Sequence, residues 1–209
     1  MKTDYEYDIF VSYRRSDDDW VRWTKENFMR AVSSLLRPSI GKDIRVFVDE
    51  DIETGTAWPN KLANALSKSK LLVPILSRDY FQSNWCRLEL ALMLEREKKC
   101  GLRCADCPEG LVVPVVIDDG DCFPDPIKAI QASHIHQYAN PFMRNDSPNF
   151  EKFADELKSK FCKDIETAMA NVPLFDPEWS AISHEQFEAV FKIDIESQST
   201  VPSLNLGAN

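Results

Sequence analysis

The sequence predicts an α/β fold in which an open parallel sheet carries helices on both faces. Four short runs are apolar on successive residues instead of alternating, which is typical of strands buried on both faces of a parallel sheet. These runs are YDIFVS at 7–12, IRVFV at 44–48, LLVPILS at 71–77 and LVVPVVI at 111–117. Segments with helical spacing of apolar residues separate them, so strands and helices alternate along the chain. Right-handed crossovers between parallel strands then place helices on both faces of the sheet.

The first helix follows the first strand. Its apolar residues recur at helical spacing between Trp20 and Leu35. Ser16, with Asp19 three residues later, predicts the N-terminal cap of this helix. Pro38 predicts its end, because proline cannot continue the helical hydrogen bonding.

The later elements follow from similar patterns. Pro59 suits the first turn of a second helix. A short fifth strand is predicted within residues 134–138, and a last helix over 149–169, from the spacing of its apolar residues. Pro74 and Pro114 lie inside the third and fourth apolar runs, and each removes one hydrogen bond from the sheet, which a central strand tolerates poorly.

Length and composition predict one domain. The chain has 209 residues, of which 44% are hydrophobic and 28% charged, which is ordinary for a globular domain of this size. The net charge of −9 argues against non-specific nucleic-acid binding, because that binding needs a basic face to displace counterions from phosphates. The same charge disfavours an anionic membrane surface as a partner.

Cellular location is predicted from two further features. No apolar run approaches the ~20 residues of a membrane span, and the N-terminus lacks the charged and apolar regions of a signal peptide. We therefore expect a cytoplasmic protein without a membrane partner. In that compartment the six cysteines are expected to be reduced thiols or metal ligands.

Two regions are distinguished along the chain. We predict that residues 5–170 form the domain and that 171–209 form a loosely attached tail. The end of the tail, 197–209, is polar and rich in small residues, so it is expected to be disordered.

The helix predicted after the third strand contains one acidic residue in its apolar first half, Glu89. Trp85 precedes it by four positions, so the two side chains share a face of the helix. A buried carboxylate costs several kcal/mol unless it is paired, neutral or open to a cleft. Glu89 is therefore either a structural, paired carboxylate or part of a functional site. The last residues of this helix, 95–99, are charged and predicted to be solvated.

The predicted topology also indicates where a ligand should bind. Ligands of open parallel sheets lie beyond the carboxyl ends of the strands. The loops at those ends are 13–19, 49–58 and 77–84.

Several separated motifs resemble those of the TIR domain, the Toll/interleukin-1 receptor fold. They are DIFVSYRR, RVFVDEDIETGTAW, LLVPILSRDYFQSNWC and the pair Trp85 and Glu89, all in the family's order and spacing over residues 5–169. The resemblance implies a five-stranded parallel sheet of flavodoxin-like order. It also implies an enzyme that cleaves NAD between nicotinamide and ribose, because enzymatic TIR domains carry a glutamate where this chain has Glu89. NAD is then the substrate, and no cofactor or metal is expected.

The resemblance assigns roles residue by residue. Glu89 is implied to be the catalytic carboxylate, with Trp85 beside the ribose or nicotinamide. The remaining substrate-binding residues implied by the motifs are Phe10, Ser12, Tyr13, Arg14, Arg15 and Phe47. The arginines can neutralise the pyrophosphate, and the aromatic rings can stack on the bases. The residues alone leave a different interpretation open, in which the two arginines are a solvated pair in a loop and Phe47 is a residue of the hydrophobic core.

Self-association is implied as well. Enzymatic TIR domains complete their site by packing the loop after the second strand against a neighbouring subunit. In this chain, Gly55 lets that loop reshape and Trp58 offers an aromatic anchor. A homo-oligomer is expected, with a downstream effector that senses the nucleotide product in anti-phage defence.

Alternative functions remain open. A non-enzymatic adaptor would recruit partners through residues 49–58, and a nucleoside deoxyribosyltransferase shares the fold type and a carboxylate nucleophile. For the NAD-cleaving enzyme, the sequence leaves open whether the product is linear or cyclic ADP-ribose.

Two other kinds of site have weaker support. Four cysteines, Cys100, Cys104, Cys107 and Cys122, approximate a zinc cluster, but their spacing is not that of paired zinc-binding motifs. A serine hydrolase is unsupported, because no nucleophile-elbow motif is present.

Overall fold

The sheet has five parallel strands in the order β2-β1-β3-β4-β5, which confirms the predicted α/β, flavodoxin-like fold class. The structure is a computed structural model that describes residues 5–48, 58–118, 120–121 and 123–198. The strands are β1 (Tyr7–Ser12), β2 (Val46–Val48), β3 (Ser69–Leu76), β4 (Val115–Val116) and β5 (Ser133–His134).

Eight α-helices are found among the described residues. They are α1 (Asp18–Trp23), α2 (Arg30–Ile40), α3 (Trp58–Ser67), α4 (Asn84–Lys99), α5 (Asp125–Lys128), α6 (Pro148–Glu156), α7 (Cys162–Ala170) and α8 (Glu178–Gln198). Short π-helical segments at Thr24–Met29 and Leu157–Phe161 join α1 to α2 and α6 to α7, and a 3₁₀ turn at Asp79–Gln82 precedes α4. Among the described residues, none of these helices is long and apolar enough to cross a membrane.

The centre of the sheet is formed by β1 and β3. Ile9, Phe10 and Val11 are each at most 2% exposed, as the uninterrupted apolar run predicts for a strand covered on both faces. Ser12, the last residue of β1, pairs with Pro74 of β3. Strand β3 therefore tolerates Pro74 although it lies inside the sheet, because Pro74 forms the last residue pair of the ladder with β1.

The fourth strand is shorter than predicted. The ladder is confined to Val115 and Val116, with one isolated bridge between Leu72 and Val112 on the other side of Pro114. Pro114 lacks an N–H group, so it interrupts the hydrogen bonding between these two parts. The predicted strands at 44–48 and 134–138 are also shorter in the structure, because only residues 46–48 of the first and His134 of the second pair with a neighbouring strand.

The ends of the first helical segment differ from the predictions. Asp17, not Ser16, is the N-cap: its carboxylate accepts from the backbone N–H groups of Asp19 and Trp20 at 2.9 and 3.3 Å. The helix continues past Pro38 and ends at Gly41. Gly41 has φ of 72°, a conformation that favours glycine, and its N–H donates to the carbonyl of Arg37.

The prediction of a loosely attached tail is wrong for α8. This helix packs along α3 and α4. Trp179, Ser183 and Phe187 are 9%, 5% and 0% exposed, and their four-residue spacing places them on one face of the helix. Disorder was predicted over 197–209, but 197 and 198 are the last residues of α8. Residues 199–209 lie outside the described part of the chain, and the domain boundary at 170 stays a prediction.

The prediction of a solvated end for α4 holds for Glu95, Lys98 and Lys99, which are exposed. It is wrong for Arg96 and Glu97, which are each 2% exposed. Arg96 donates to the carbonyl of Ser69, and Glu97 accepts from the N–H groups of Leu111 and Val112. These buried charges satisfy backbone groups at the starts of neighbouring chain segments. Arg96 and Glu97 therefore have a structural role: they connect the end of α4 to the start of β3 and to the segment before β4.

Candidate functional site

Glu89 lies in the first half of α4, directly below the carboxyl end of β1. Ser83 caps this helix and accepts from the N–H of Cys86 at 3.3 Å, which fixes where α4 begins. Glu89 is 6% exposed, and its Oε2 accepts a hydrogen bond from the Ser12 hydroxyl at 2.5 Å. A buried carboxylate needs such partners to offset the loss of water. Ser12, the last residue of β1, therefore holds the Glu89 side chain in place.

A chain of hydroxyl groups continues from Ser12 into the protein interior. The Ser12 Oγ lies 2.8 Å from the hydroxyl of Tyr80, which donates to the carbonyl of Cys86 at 3.0 Å. The thiol of Cys86 in turn contacts the carbonyl of Tyr13 at 3.5 Å. These contacts join β1, the 3₁₀ turn and α4. The site beside Glu89 is thus preorganised, because its polar groups are already oriented by buried hydrogen bonds.

The acidities of the neighbouring groups exclude them as nucleophiles at neutral pH. Burial, together with the negative charge of Glu89, raises the pKa of the Cys86 thiol to about 12. Burial, with the nearby thiol and carboxylate, raises the pKa of Tyr80 well above its usual value. Both groups keep their protons near pH 7, and a protonated thiol is a poor nucleophile. They therefore act as hydrogen-bond donors.

Two neighbouring cavities open at this edge of the sheet. The first, of about 220 Å³, is lined by Tyr13, Arg14, Arg15, Ser16, Ser83, Trp85, Cys86 and Glu89. The second, of about 260 Å³, lies at the carboxyl ends of β3 and β4 and shares Tyr13, Arg14 and Ser16 with the first. Each is smaller than the ~300 Å³ at which ligand pockets usually begin, but the two together exceed it. Arg14 lines both cavities, so a ligand in either one lies beside its side chain.

Two arginines place positive charges in the smaller cavity beside the buried carboxylate. Arg14 is half-buried and lines both cavities, and its Nε has no hydrogen-bond partner among the described residues. Arg15 is exposed at the rim of the smaller cavity. Guanidinium groups in this position suit a phosphate or pyrophosphate, because they can donate two parallel hydrogen bonds to it.

The structure brings together most of the predicted site residues, but not all. Glu89, Trp85, Tyr13, Arg14 and Arg15 line the smaller cavity. Ser12 reaches the site through its hydrogen bond to Glu89. Two aromatic residues do not reach this cavity: the rings of Phe10 and Phe47 stack in the core at 5.0 Å between centroids.

The predicted interface residues lie wholly or partly outside the described part of the chain. Gly55 lies outside the described residues, and of Trp58 only the backbone, at the start of α3, is described. Their role in self-association stays a prediction.

Sequence reasoning missed Tyr80 and Cys86 as parts of the site. Tyr80 lies in the loop 77–84 and Cys86 in the helix that follows it, so the sequence placed both near the carboxyl edge of the sheet. Their roles depend on a hydrogen bond between residues 68 positions apart in the chain. No spacing or composition signal in the sequence reports such a contact.

Metal binding has no support among the described residues, where no group of three or more His, Cys, Asp or Glu side chains could hold an ion. Cys104 and Cys107 instead exchange backbone hydrogen bonds in a tight loop. Cys122 lies outside the described residues. The expectation of a site without metal stays a prediction.

The fold and the site define a class of protein: a flavodoxin-like parallel sheet with a buried carboxylate, an aromatic ring and two arginines beyond the carboxyl end of its first strand. A family model described as TIR domain matches residues 9–158. The chain therefore belongs to the TIR domain family, as its motifs predicted.

Proteins similar to this chain include a plant resistance protein and an NAD(+) hydrolase. The chain is 25% identical over 163 residues to TMV resistance protein N of Nicotiana glutinosa, a match covering 78% of this chain and 11% of that protein. It is 29% identical over 98 residues to NAD(+) hydrolase TcpA of Theionarchaea archaeon (strain DG-70-1), covering 46% of this chain and 27% of that protein. The chain thus spans only a minor part of these relatives.

A solved structure agrees on the fold. The TIR domain of the Toll-related receptor TRR-2 from Hydra magnipapillata superposes with a TM-score of 0.50 at 14% identity, covering 79% of this chain and 99% of that one. At this identity the likeness concerns the fold alone.

Proposed function

We propose that this TIR domain cleaves NAD at the bond between nicotinamide and ribose. The observation that carries the proposal is the placement of Glu89: a buried carboxylate, held by Ser12 at 2.5 Å, lines a cavity that it shares with Trp85, Arg14 and Arg15. This set offers one group for each part of the substrate. The carboxylate faces the ribose, the ring faces a base, and the guanidinium groups face the pyrophosphate.

One carboxylate is sufficient for this reaction. The nicotinamide of NAD is already cationic, so when the C1′–N bond breaks, the bonding electrons leave with a neutral nicotinamide and no acid is needed. The ribose becomes an electron-poor oxocarbenium. An ionised Glu89 stabilises this developing positive charge and can accept hydrogen bonds from the ribose hydroxyls. Glycosidases, by contrast, need a paired acid and base.

Capture of the cation determines the product. Water that attacks C1′ and loses a proton gives ADP-ribose, whereas an adenine nitrogen of the same molecule gives a cyclic isomer. Both products follow from the same first step, so Glu89 serves either outcome.

The relatives support the proposal without deciding it. One is named as an NAD(+) hydrolase and others as disease resistance proteins, but this chain spans a small part of each. A role in anti-phage defence, with an effector that senses the product, is part of the proposal and rests on the family resemblance. The same is true of homo-oligomers that complete the site.

A direct test is incubation of the purified protein with NAD, followed by mass spectrometry of the products. The proposal requires free nicotinamide together with ADP-ribose or its cyclic isomer, in amounts that exceed the protein. A matched sample of the Glu89→Gln variant controls for contaminating enzymes. Intact NAD after prolonged incubation at high protein concentration would favour the adaptor function, and release of a base from a deoxynucleoside would favour the transferase.

A further inference from the structure

The C-terminal helix α8 lies outside the residues matched by the TIR family model, 9–158, yet it reaches the candidate site. At one end, Trp179 lies under the cationic groups of Arg96 and Lys99, at 5.8 and 5.2 Å from its ring centroid. Near the middle of α8, Phe187 lies against Trp85, with 5.7 Å between ring centroids and 33° between ring planes. Helix α8 therefore runs antiparallel along α4 from its last turn to its first.

The packing of α8 is close. Between Trp179 and Ser183 of α8 and the facing residues of α3 and α4, a cavity of only about 10 Å³ remains, which is about the space of one water-sized sphere. Hydrogen bonds add to the packing on the α3 side, where Ser180 and His184 lie 3.0 and 3.2 Å from Ser67 and Asn60. The first half of α8 is thus packed against α3 and α4 and can hold a side chain of α4 in place.

Phe187 of α8 contacts a residue of the site, Trp85. Its side chain is fully buried, whereas Trp85 is half-buried and lines the cavity that also contains Glu89. One aromatic ring in the interior therefore supports another at the cavity wall. Trp85 precedes Glu89 by one helical turn, so any tilt of its ring changes the shape of the cavity beside the carboxylate.

We propose that Phe187 is a positioning residue that holds the Trp85 ring in the orientation in which it contacts the substrate. This inference rests on the proposed function, since it assumes NAD as the substrate. Phe187 itself touches no reacting atom. Its effect is on binding, because an aromatic contact held in place before the substrate arrives lowers the ordering cost of association.

The kinetic test compares Phe187→Leu with Phe161→Leu. Both replace a buried phenylalanine, 0% and 1% exposed, but Phe161 contacts Phe28 in a different part of the core. The proposal expects Phe187→Leu to raise KM for NAD about threefold to tenfold, the factor of one aromatic pair, with kcat within about twofold of the wild type. Phe161→Leu should lower Tm without changing KM.

A double variant shows whether Phe187 acts through Trp85. If it does, Phe187→Leu adds nothing to the KM of Trp85→Ala, because the ring that it positions is already absent. Independent effects, in which the fold-increases in KM of the two single variants multiply in the double variant, would overturn the proposal. So would a Phe187→Leu variant that loses stability like Phe161→Leu but keeps the wild-type KM, since that is the behaviour of a core residue.

A spectroscopic test needs no turnover. In protein labelled with 5-fluorotryptophan, the resonance of Trp85 is assigned by its loss in Trp85→Phe. We expect Phe187→Leu to shift or broaden this ¹⁹F resonance, and Phe161→Leu to leave it unchanged; an unchanged resonance in Phe187→Leu contradicts the restraint of the ring. A wild-type protein that does not cleave NAD refutes the proposed function instead, whereas an active wild type with an unaffected Phe187→Leu refutes this inference alone.

Discussion

The hydroxyl of Ser12 lies 2.5 Å from the carboxylate of Glu89, although 77 positions separate them in the chain. The contact joins the carboxyl end of β1 to the first half of α4. It explains how a carboxylate is accommodated in the buried part of a largely apolar helix, because the hydrogen bond offsets part of the lost hydration. It also makes the position of Glu89 depend on β1, a strand that is buried in the sheet between β2 and β3.

Replacement of Glu89 by glutamine tests the role of the carboxylate. The amide keeps the size of the side chain but not the charge that stabilises an oxocarbenium. We expect NAD turnover to fall by at least a hundredfold, from the loss of roughly 3 kcal/mol of transition-state stabilisation. The measurement is turnover of a fluorescent NAD analogue, with circular dichroism to verify folding.

Glu95→Gln is the control for this substitution. Glu95 lies on the same helix, is exposed and pairs with Lys99 at 3.3 Å, so its replacement should leave turnover unchanged. A folded Glu89→Gln variant with near-native turnover would eliminate Glu89 as the catalytic residue.

Replacement of Ser12 by alanine tests the hydrogen bond that Ser12 donates to Glu89. The variant leaves Glu89 without this donor and Tyr80 without a contact at 2.8 Å. We expect turnover to fall about tenfold or more and unfolding free energy to fall by about 1–3 kcal/mol. The double variant with Glu89→Gln should turn over no more slowly than Glu89→Gln alone, because Ser12 acts through Glu89.

Ser69→Ala controls for the loss of a buried hydroxyl. Ser69 is fully buried at the start of β3, far from the carboxyl edge, and donates to the carbonyl of Ala65 at 2.7 Å. Its replacement should lower stability but not turnover. Equal turnover in Ser12→Ala and Ser69→Ala would show that the bond to Glu89 has only a structural role.

The fold was predictable where a local pattern determines it. The run Ile9, Phe10 and Val11 predicted β1 with its observed bounds, because a strand buried on both faces must be apolar on successive residues. The length of β4 was not predictable from its apolar run, since the interruption depends on how Pro114 meets the neighbouring strand. Helix α8 was missed because its buried stripe is formed by Trp179, Ser183 and Phe187, in which a serine weakens the apolar pattern.

The site was predictable in its motif residues and not in its support. Trp85 and Glu89 share a helical face, so their common cavity follows from spacing. Phe187, which lies against Trp85, comes from a helix about 100 residues later in the chain. Long-range packing of this kind is determined by the tertiary structure and leaves no local signal.

Acid should destabilise the protein through Asp8. Burial alone would raise the pKa of this carboxyl, but hydrogen bonds from Arg45 and Lys70 outweigh it and lower the pKa to about 2. Because the folded-state pKa lies below that of the unfolded chain, near 3.9, the contribution to stability is present above about pH 4. It is lost as pH falls toward 2, when Asp8 becomes protonated in the folded state.

Replacement of Asp8 by asparagine should remove this pH dependence. Arg45 is half-exposed, so screening by water reduces the contribution to roughly 1–2 kcal/mol. Urea unfolding of wild type and Asp8→Asn between about pH 6 and pH 2 should show this difference at the upper end and little at the lower. Asp146→Asn, which breaks an exposed pair with Arg144, is the control and should have little effect; parallel curves for wild type and Asp8→Asn would contradict the assignment.

Activity should depend on self-association. The described walls of the smaller cavity come from the loop after β1 and the start of α4, and Arg15 at its rim is exposed. Contacts that water can reach are weak, because the effective dielectric stays high, so a neighbouring subunit that closes the site strengthens every charge interaction with the substrate. The loop after β2, which contains Gly55 and is followed by Trp58, is the segment predicted to make this contact.

Specific activity should therefore rise with protein concentration. We expect turnover per molecule to fall over about a hundredfold dilution, in parallel with a loss of mass in light scattering. Trp58→Ala should lower activity and assembly without unfolding the domain, because aromatic anchors dominate interfaces. The control is Phe142→Ala, which removes a 71% exposed aromatic side chain in another part of the protein. It should change neither activity nor assembly. Constant turnover per molecule across the dilution series, with a monomeric mass throughout, would show that a single subunit forms the complete site.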